Sequence, residues 1–166
     1  MSVFFTSDTH FGHVNIIAYC KRPYVDVAEM NRVMAERWNA RVKPGDTVYH
    51  LGDFAMGPRA DLDIHRAQLA GHVVLVKGNH DRSTSRMLKA GFNEVVKELY
   101  LELEGVRLYL HHEPMPADLW QAKADVHLCG HVHDLWAQQD KTVNVGVDVR
   151  GFEPRTLGEL WTVGNI

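Results

Sequence analysis

Val3-Phe4-Phe5-Thr6-Ser7-Asp8-Thr9-His10 is an apolar, β-prone run that ends in an acid and a histidine two residues apart. It reads as a strand. In an extended chain residues i and i+2 face one side, so Asp8 and His10 can point into a single cavity beyond the strand end. The arrangement recurs three times downstream. Residues 47–51 run into Gly52-Asp53, residues 73–77 into Gly78-Asn79-His80-Asp81, and residues 126–129 into Gly130-His131-Val132-His133. The glycines allow tight turns at these ends. Each motif alone is a common turn or cap. Four strand ends in a row that carry carboxylate, amide or imidazole groups point to a mixed α/β domain with its chemistry at the strand ends.

Between the first two strands Asp26 reads as an N-cap, and Val27, Met30, Val33, Met34, Trp38 and Val42 recur at helical spacing. A second helix follows Pro58 and Asp61 and carries Leu62 and Leu69; a third covers residues 83–90. Residues 99–110 alternate apolar and polar around Gly105, which predicts a hairpin whose second strand runs into His111 and His112. Further strands are expected at 142–145 and 159–163. Two packed sheets flanked by helices account for this order.

The chain has 166 residues, 45% of them apolar, enough for one domain spanning residues 1–166 with a buried core. A formal net charge of -3 supplies no basic field for non-specific nucleic-acid or membrane-surface binding. The two cysteines, Cys20 and Cys129, lack paired spacing, which favours a reduced, cytoplasmic protein. The N-terminal run lacks a charged leader and reads as a strand rather than a signal peptide. No apolar stretch has the length of a membrane span. Eleven histidines are present, and histidine is the commonest metal ligand.

In this order the blocks resemble the calcineurin-like metallophosphoesterase superfamily: Asp8-x-His10, Gly52-Asp53, Gly78-Asn79-His80-Asp81, an isolated histidine after a strand, and Gly130-His131-x-His133. The likeness covers nearly the whole chain. Ser7-Asp8-Thr9-His10-Phe11-Gly12-His13 and Leu51-Gly52-Asp53-Phe54-Ala55 look most like small single-domain bacterial and phage members. The resemblance implies a four-layer α/β/β/α sandwich with two packed mixed sheets. It also implies two divalent cations, one held by Asp8, His10, Asp53 and His133, the other by Asp53, Asn79, His112 and His131, with Asp53 bridging. Such ligands suit Mn, Fe or Zn. Two cations sharing a carboxylate can hold a hydroxide between them and clamp the oxygens of a phosphoryl group in transfer.

By the same resemblance His80 protonates the leaving oxygen or stabilises the transition state, and Asn79 and His80 lie against the substrate phosphate. His13 is a further candidate substrate contact because it closely follows Asp8-Thr9-His10. In protein phosphatases of the superfamily an Asp three residues after the bridging Asp orients the catalytic His; here that position is Met56, so the partner of His80 stays open. Of the two adjacent histidines, His112 matches the family's His-x-Pro pattern, while strand alternation turns His111 to the opposite face. His50 is expected to be a hydrogen-bonded core residue, His127 structural, and His65 and His72 surface or capping groups. Arg22, Arg82 and Arg150 are expected as solvated surface groups, and residues 144–148 as a strand and turn with a structural role. With no room for a cap domain, the expected activity is open-site hydrolysis of small phosphodiesters or nucleotides. A nuclease and a non-catalytic metal-binding scaffold of the same fold remain as alternatives.

Overall fold

The computed structural model describes residues 1–58 and 61–161. β1 (Val3–Thr6), β2 (Thr47–His50), β3 (His72–Val76) and β4 (Glu94–Val96) lie side by side in that order, each pair parallel. Parallel neighbours need crossovers. These contain α1 (Ile16–Tyr19) and α2 (Val27–Arg41), then α3 (Asp61–Ala67), then α4 (Thr84–Lys89).

α2 starts where its cap predicts, with the Asp26 carboxylate accepting the Glu29 amide at 2.8 Å. Met30, Met34, Ala35 and Trp38 form its buried face, packed on Phe4, Val48, Val73 and Leu75 of the sheet. Ser83 caps α4 in the same manner, accepting the Arg86 amide.

The second sheet contains β5 (Glu98–Leu103), β6 (Val106–His111), β7 (Val126–Cys129), β8 (Gln138–Gln139) and β9 (Thr142–Asn144), in the order β5-β6-β7-β9-β8. The predicted hairpin is β5-β6, joined by the two-residue loop Glu104-Gly105 with Leu103 opposite Val106. β6, β7 and β9 run parallel, and β8 is antiparallel to β9. The first sheet is thus parallel throughout, and the second is the mixed one.

Alternation along β1 sends Phe4 to the helices and Phe5 to the other sheet, where Phe5, Leu51 and Val76 meet Leu108, Leu110, Leu128 and Val143. Over the far face of the second sheet the fourth layer is thin. Tyr109 there is covered by Met115, Trp120 and Ala124, from a connection whose regular element is the 3-10 turn Ala117–Leu119.

One expected strand is corrected. Residues 159 and 160 belong to α5 (Leu157–Leu160), because the Glu159 carboxylate accepts the Thr156 amide at 2.8 Å and closes a capping turn. Residues 162 and 163 of that prediction lie outside the described residues. Among the described residues no helix is long and apolar enough to cross a membrane.

Candidate metal centre

The ends of β1, β2, β3, β6 and β7 come together where the two sheets meet, and all seven expected ligands converge there. Donor atoms of Asp8, His10 and His133 lie within 4.8 Å of one another, and so do those of Asp53, His112 and His131. Asp53 of the second group also reaches the first: its Oδ2 is 3.6 Å from His10 Nε2 and 3.4 Å from His112 Nε2. Asn79 joins the second group, its Oδ1 3.0 Å from His112 Nε2.

The convergence has a different cause from strand alternation. Asp8, His10, Asp53, His131 and His133 all have positive φ, from 48° to 70°. A left-handed conformation costs a non-glycine residue roughly 1–2 kcal/mol, and clusters of such residues mark functional sites. The loops that carry these five residues are therefore kinked rather than extended. Gly78 and Gly130 make the kinks possible by close approach: a Cβ on Gly78 would collide with Asp53 Oδ1, and one on Gly130 with Asp8 Oδ2.

The donor set fits cations. Asp8 Oδ1 and His10 Nε2 are buried without a hydrogen-bond partner among the described residues, a costly state for polar atoms unless an ion completes them. Two histidines show the outer-sphere pattern of metal ligands, in which the second ring nitrogen is tied down. His112 Nδ1 donates to the Leu51 carbonyl at 2.7 Å, and His133 Nδ1 donates to the Asp148 carboxylate at 3.2 Å. Burial lifts the Asp8 carboxyl above its usual range and pushes His10 down to about 3. Burial also acts against charge on Asp53 and His112. Their mutual pairing outweighs it, so Asp53 sits well below the usual carboxylate range and His112 rises to about 9.

His80 is exposed beside the cluster, its ring 5.8 Å from that of His10 and its amide donating to Asp53 Oδ1 at 2.9 Å. Its imidazole has no hydrogen-bond partner among the described residues, in keeping with methionine at position 56. His13 stands at the rim, its Nδ1 3.1 Å from His10 Nδ1 and its ring edge-on to the exposed Tyr19.

His111 turns away. Its Nδ1 lies against the Glu113 backbone and its ring stacks on Tyr109. His112→Ala is therefore expected to lower cation occupancy by about one per chain, and His111→Ala to leave it unchanged, as read by elemental analysis. The reverse pattern would transfer the role to His111.

Several other residues depart from expectation. Arg22 is buried, not solvated. Its Nε and Nη2 pair with Asp148 at 2.8 and 2.9 Å, and it donates to the carbonyls of Asp8 at 2.7 Å and Thr9 at 2.9 Å. Asp148 thereby links Arg22 to His133, so the segment read as purely structural contributes a residue that orients a candidate ligand. No local pattern signals this pair, which is separated by 126 residues. Arg150 is half-buried and donates to the carbonyls of Asn144 and Ala137, while Arg82 is exposed.

His65 is buried and stacked on Phe11 rather than at the surface, whereas His72 is exposed. His50 and His127 are buried and hydrogen-bonded as expected, to Thr9 Oγ1 and to the Met115 amide. Asp81, the last residue of its motif, accepts the amides of Asp53, Phe54 and Gly78 at 2.9, 3.0 and 2.8 Å. It buckles two ligand loops together.

Comparison with known proteins bears on the family and the fold. The family model described as a calcineurin-like phosphoesterase superfamily domain matches residues 1–153. An uncharacterized protein of Methanocaldococcus jannaschii, MJ1445, is 32% identical over 164 residues, covering 93% of this chain and 86% of that protein. The solved structure of a protein of unknown function from Aquifex aeolicus, AQ665, superposes with a TM-score of 0.78 at 27% identity, covering 95% of this chain and 96% of that one. A novel archaeal phosphodiesterase shares the fold, with a TM-score of 0.51 at 17% identity over 88% of this chain and 82% of its own.

Proposed function

This chain belongs to the calcineurin-like phosphoesterase superfamily, and from that premise we propose that it hydrolyses phosphoester bonds of small phosphodiesters or nucleotides with two divalent cations, Mn, Fe or Zn. The observation that carries the reading is the Asp53 carboxylate oxygen, a member of one three-residue donor group that also reaches His10 of the other. Asp8, His10, Asp53 and His133 would hold one cation, and Asp53, Asn79, His112 and His131 the other. Such a pair supplies Lewis-acid charge to phosphoryl oxygens and makes water nucleophilic near neutral pH. The exposed edge formed by Asn79, His80 and His131 lets a substrate approach without a lid. His80 stands there with an imidazole free to give a proton to the leaving oxygen, and His13 contacts the substrate from the rim beside His10.

Retention of every candidate ligand together with His80 favours an enzyme over a scaffold. The net charge of -3 favours a small substrate over nucleic acid. Both cysteines are free, Cys129 buried and Cys20 half-buried, which supports a reducing, cytoplasmic setting. The test is to strip the chain, reload it with Mn, Fe or Zn, and assay phosphomonoesters, cyclic nucleotides and linear diesters. Metal-dependent turnover of diesters or nucleotides is expected; two bound cations with no turnover on any ester would leave the scaffold.

His80→Ala should keep its cations, since Asn79 is the ligand, and lose about 10²- to 10⁴-fold on alkyl esters. Aryl esters of acidic phenols need little protonation and should lose much less. Equal loss across the series, with chemistry rate-limiting, would exclude leaving-group protonation.

A further inference from the structure

A cleft of about 260 Å³ adjoins the cation cluster, and Asn79 and His112 line both. Its remaining polar walls are Lys77, Lys97, His111 and Glu113. Lys77 directly follows β3 and is half-buried, its amide donating to the Val96 carbonyl at 2.9 Å; Lys97 joins β4 to β5 and is exposed. The two lysines thus each directly follow one of two neighbouring strands of the first sheet, β3 and β4.

Neither ammonium has an ion-pair or hydrogen-bond partner among the described residues. Ten of the arginines, by contrast, are engaged with carboxylates or carbonyls among the described residues. His111 commits Nδ1 to the Glu113 backbone and leaves Nε2 open. Against these donors stands one carboxylate, that of Glu113. A locally positive cleft beside a phosphoryl-handling centre, on a chain of net charge -3, calls for an anionic occupant. Its volume is below the 300 Å³ or so at which pockets take a whole drug-sized ligand, and suits a phosphate with part of a sugar.

We propose that this cleft is a subsite for a second phosphate of the substrate, with Lys77 and Lys97 supplying charge and His111 a hydrogen bond. The inference rests on the phosphoesterase reading and narrows its substrates to phosphoesters that carry another phosphate. That phosphate can belong to a small bisphosphorylated nucleoside or be the neighbouring phosphate of a short single strand.

The test compares a nucleoside 3′,5′-bisphosphate, the matching 5′-monophosphate and a short single-stranded oligonucleotide, using the metal-loaded full chain. The variant is Lys77→Gln with Lys97→Gln, which keeps most of each side chain's bulk; its fold and cation content are checked alongside. The wild type should prefer the bisphosphate or the strand. The double variant should lose at least about tenfold of that preference through KM, and Lys77→Arg with Lys97→Arg should restore most of it. Preference for the strand with a steep salt dependence identifies the strand as the source of the second phosphate, and preference for the bisphosphate identifies the small molecule. An equal fall on singly and doubly phosphorylated esters, or no change, overturns the subsite. If the loaded wild type turns over no ester, the phosphoesterase reading fails by itself. Calorimetric binding of inorganic pyrophosphate against inorganic phosphate then decides the subsite: a pyrophosphate advantage lost in the double variant supports it, and one retained overturns it.

Discussion

Asp53→Asn is expected to lower turnover by at least about 10²-fold, the loss that follows removal of a single charge-stabilising donor, while leaving the chain folded. The substitution is nearly isosteric. The amide oxygen can still accept the His80 amide, as Asp53 Oδ1 does at 2.9 Å. What changes is the other atom, where an NH2 group would face His10 Nε2 and His112 Nε2 in place of the oxygen now 3.6 and 3.4 Å from them. An NH2 has no lone pair to offer a cation and no charge to offset repulsion between two. Both sites should weaken together, whereas His112→Ala should weaken one. Two fully bound cations and near-normal turnover in Asp53→Asn would overturn the shared-ligand assignment.

Asp81→Ala should lower unfolding free energy by about 3 kcal/mol or more, because it leaves three backbone amides of the two ligand loops without an acceptor, each costing roughly 1–3 kcal/mol when buried. That is a large fraction of the 5–15 kcal/mol typical of a domain. Asp81→Asn should fall in between. One oxygen can still accept Asp53 and Gly78, as Oδ2 does, but the Phe54 amide would then meet an NH2 group. Urea unfolding of the three proteins reads the order directly. A stability for Asp81→Ala equal to wild type would show that water replaces the carboxylate at no cost.

What the sequence makes legible here is chemistry tied to local spacing. Asp8 with His10, and His131 with His133, announce themselves because ligand types recur two residues apart at the ends of apolar runs. α2 is visible through Asp26 and the Met30, Met34, Trp38 stripe. The rest depends on distance or on backbone states that residue type does not encode. Arg22 and Asp148 meet across 126 positions, and neither sits in a pattern that forecasts burial. The left-handed φ values at five ligands come from loops folding around a shared centre. β4 is three residues long and not fully buried on either face, so its alternation is too short to read. Residues 159 and 160 look like the start of a strand from apolar content alone. The Thr156-x-x-Glu159 spacing, a capping-box pattern, outweighs that content and starts a helical turn.

In the proposed reading one chain binds two cations through Asp53 and uses both to cut a phosphoester. Titrating Mn into the metal-stripped chain, while following bound metal and hydrolysis of a generic aryl phosphodiester in the same samples, tests it most directly. Little turnover is expected at one equivalent, a rise with the second, and a plateau at two per chain. Full activity with a single bound cation, or two bound cations with none, would contradict it.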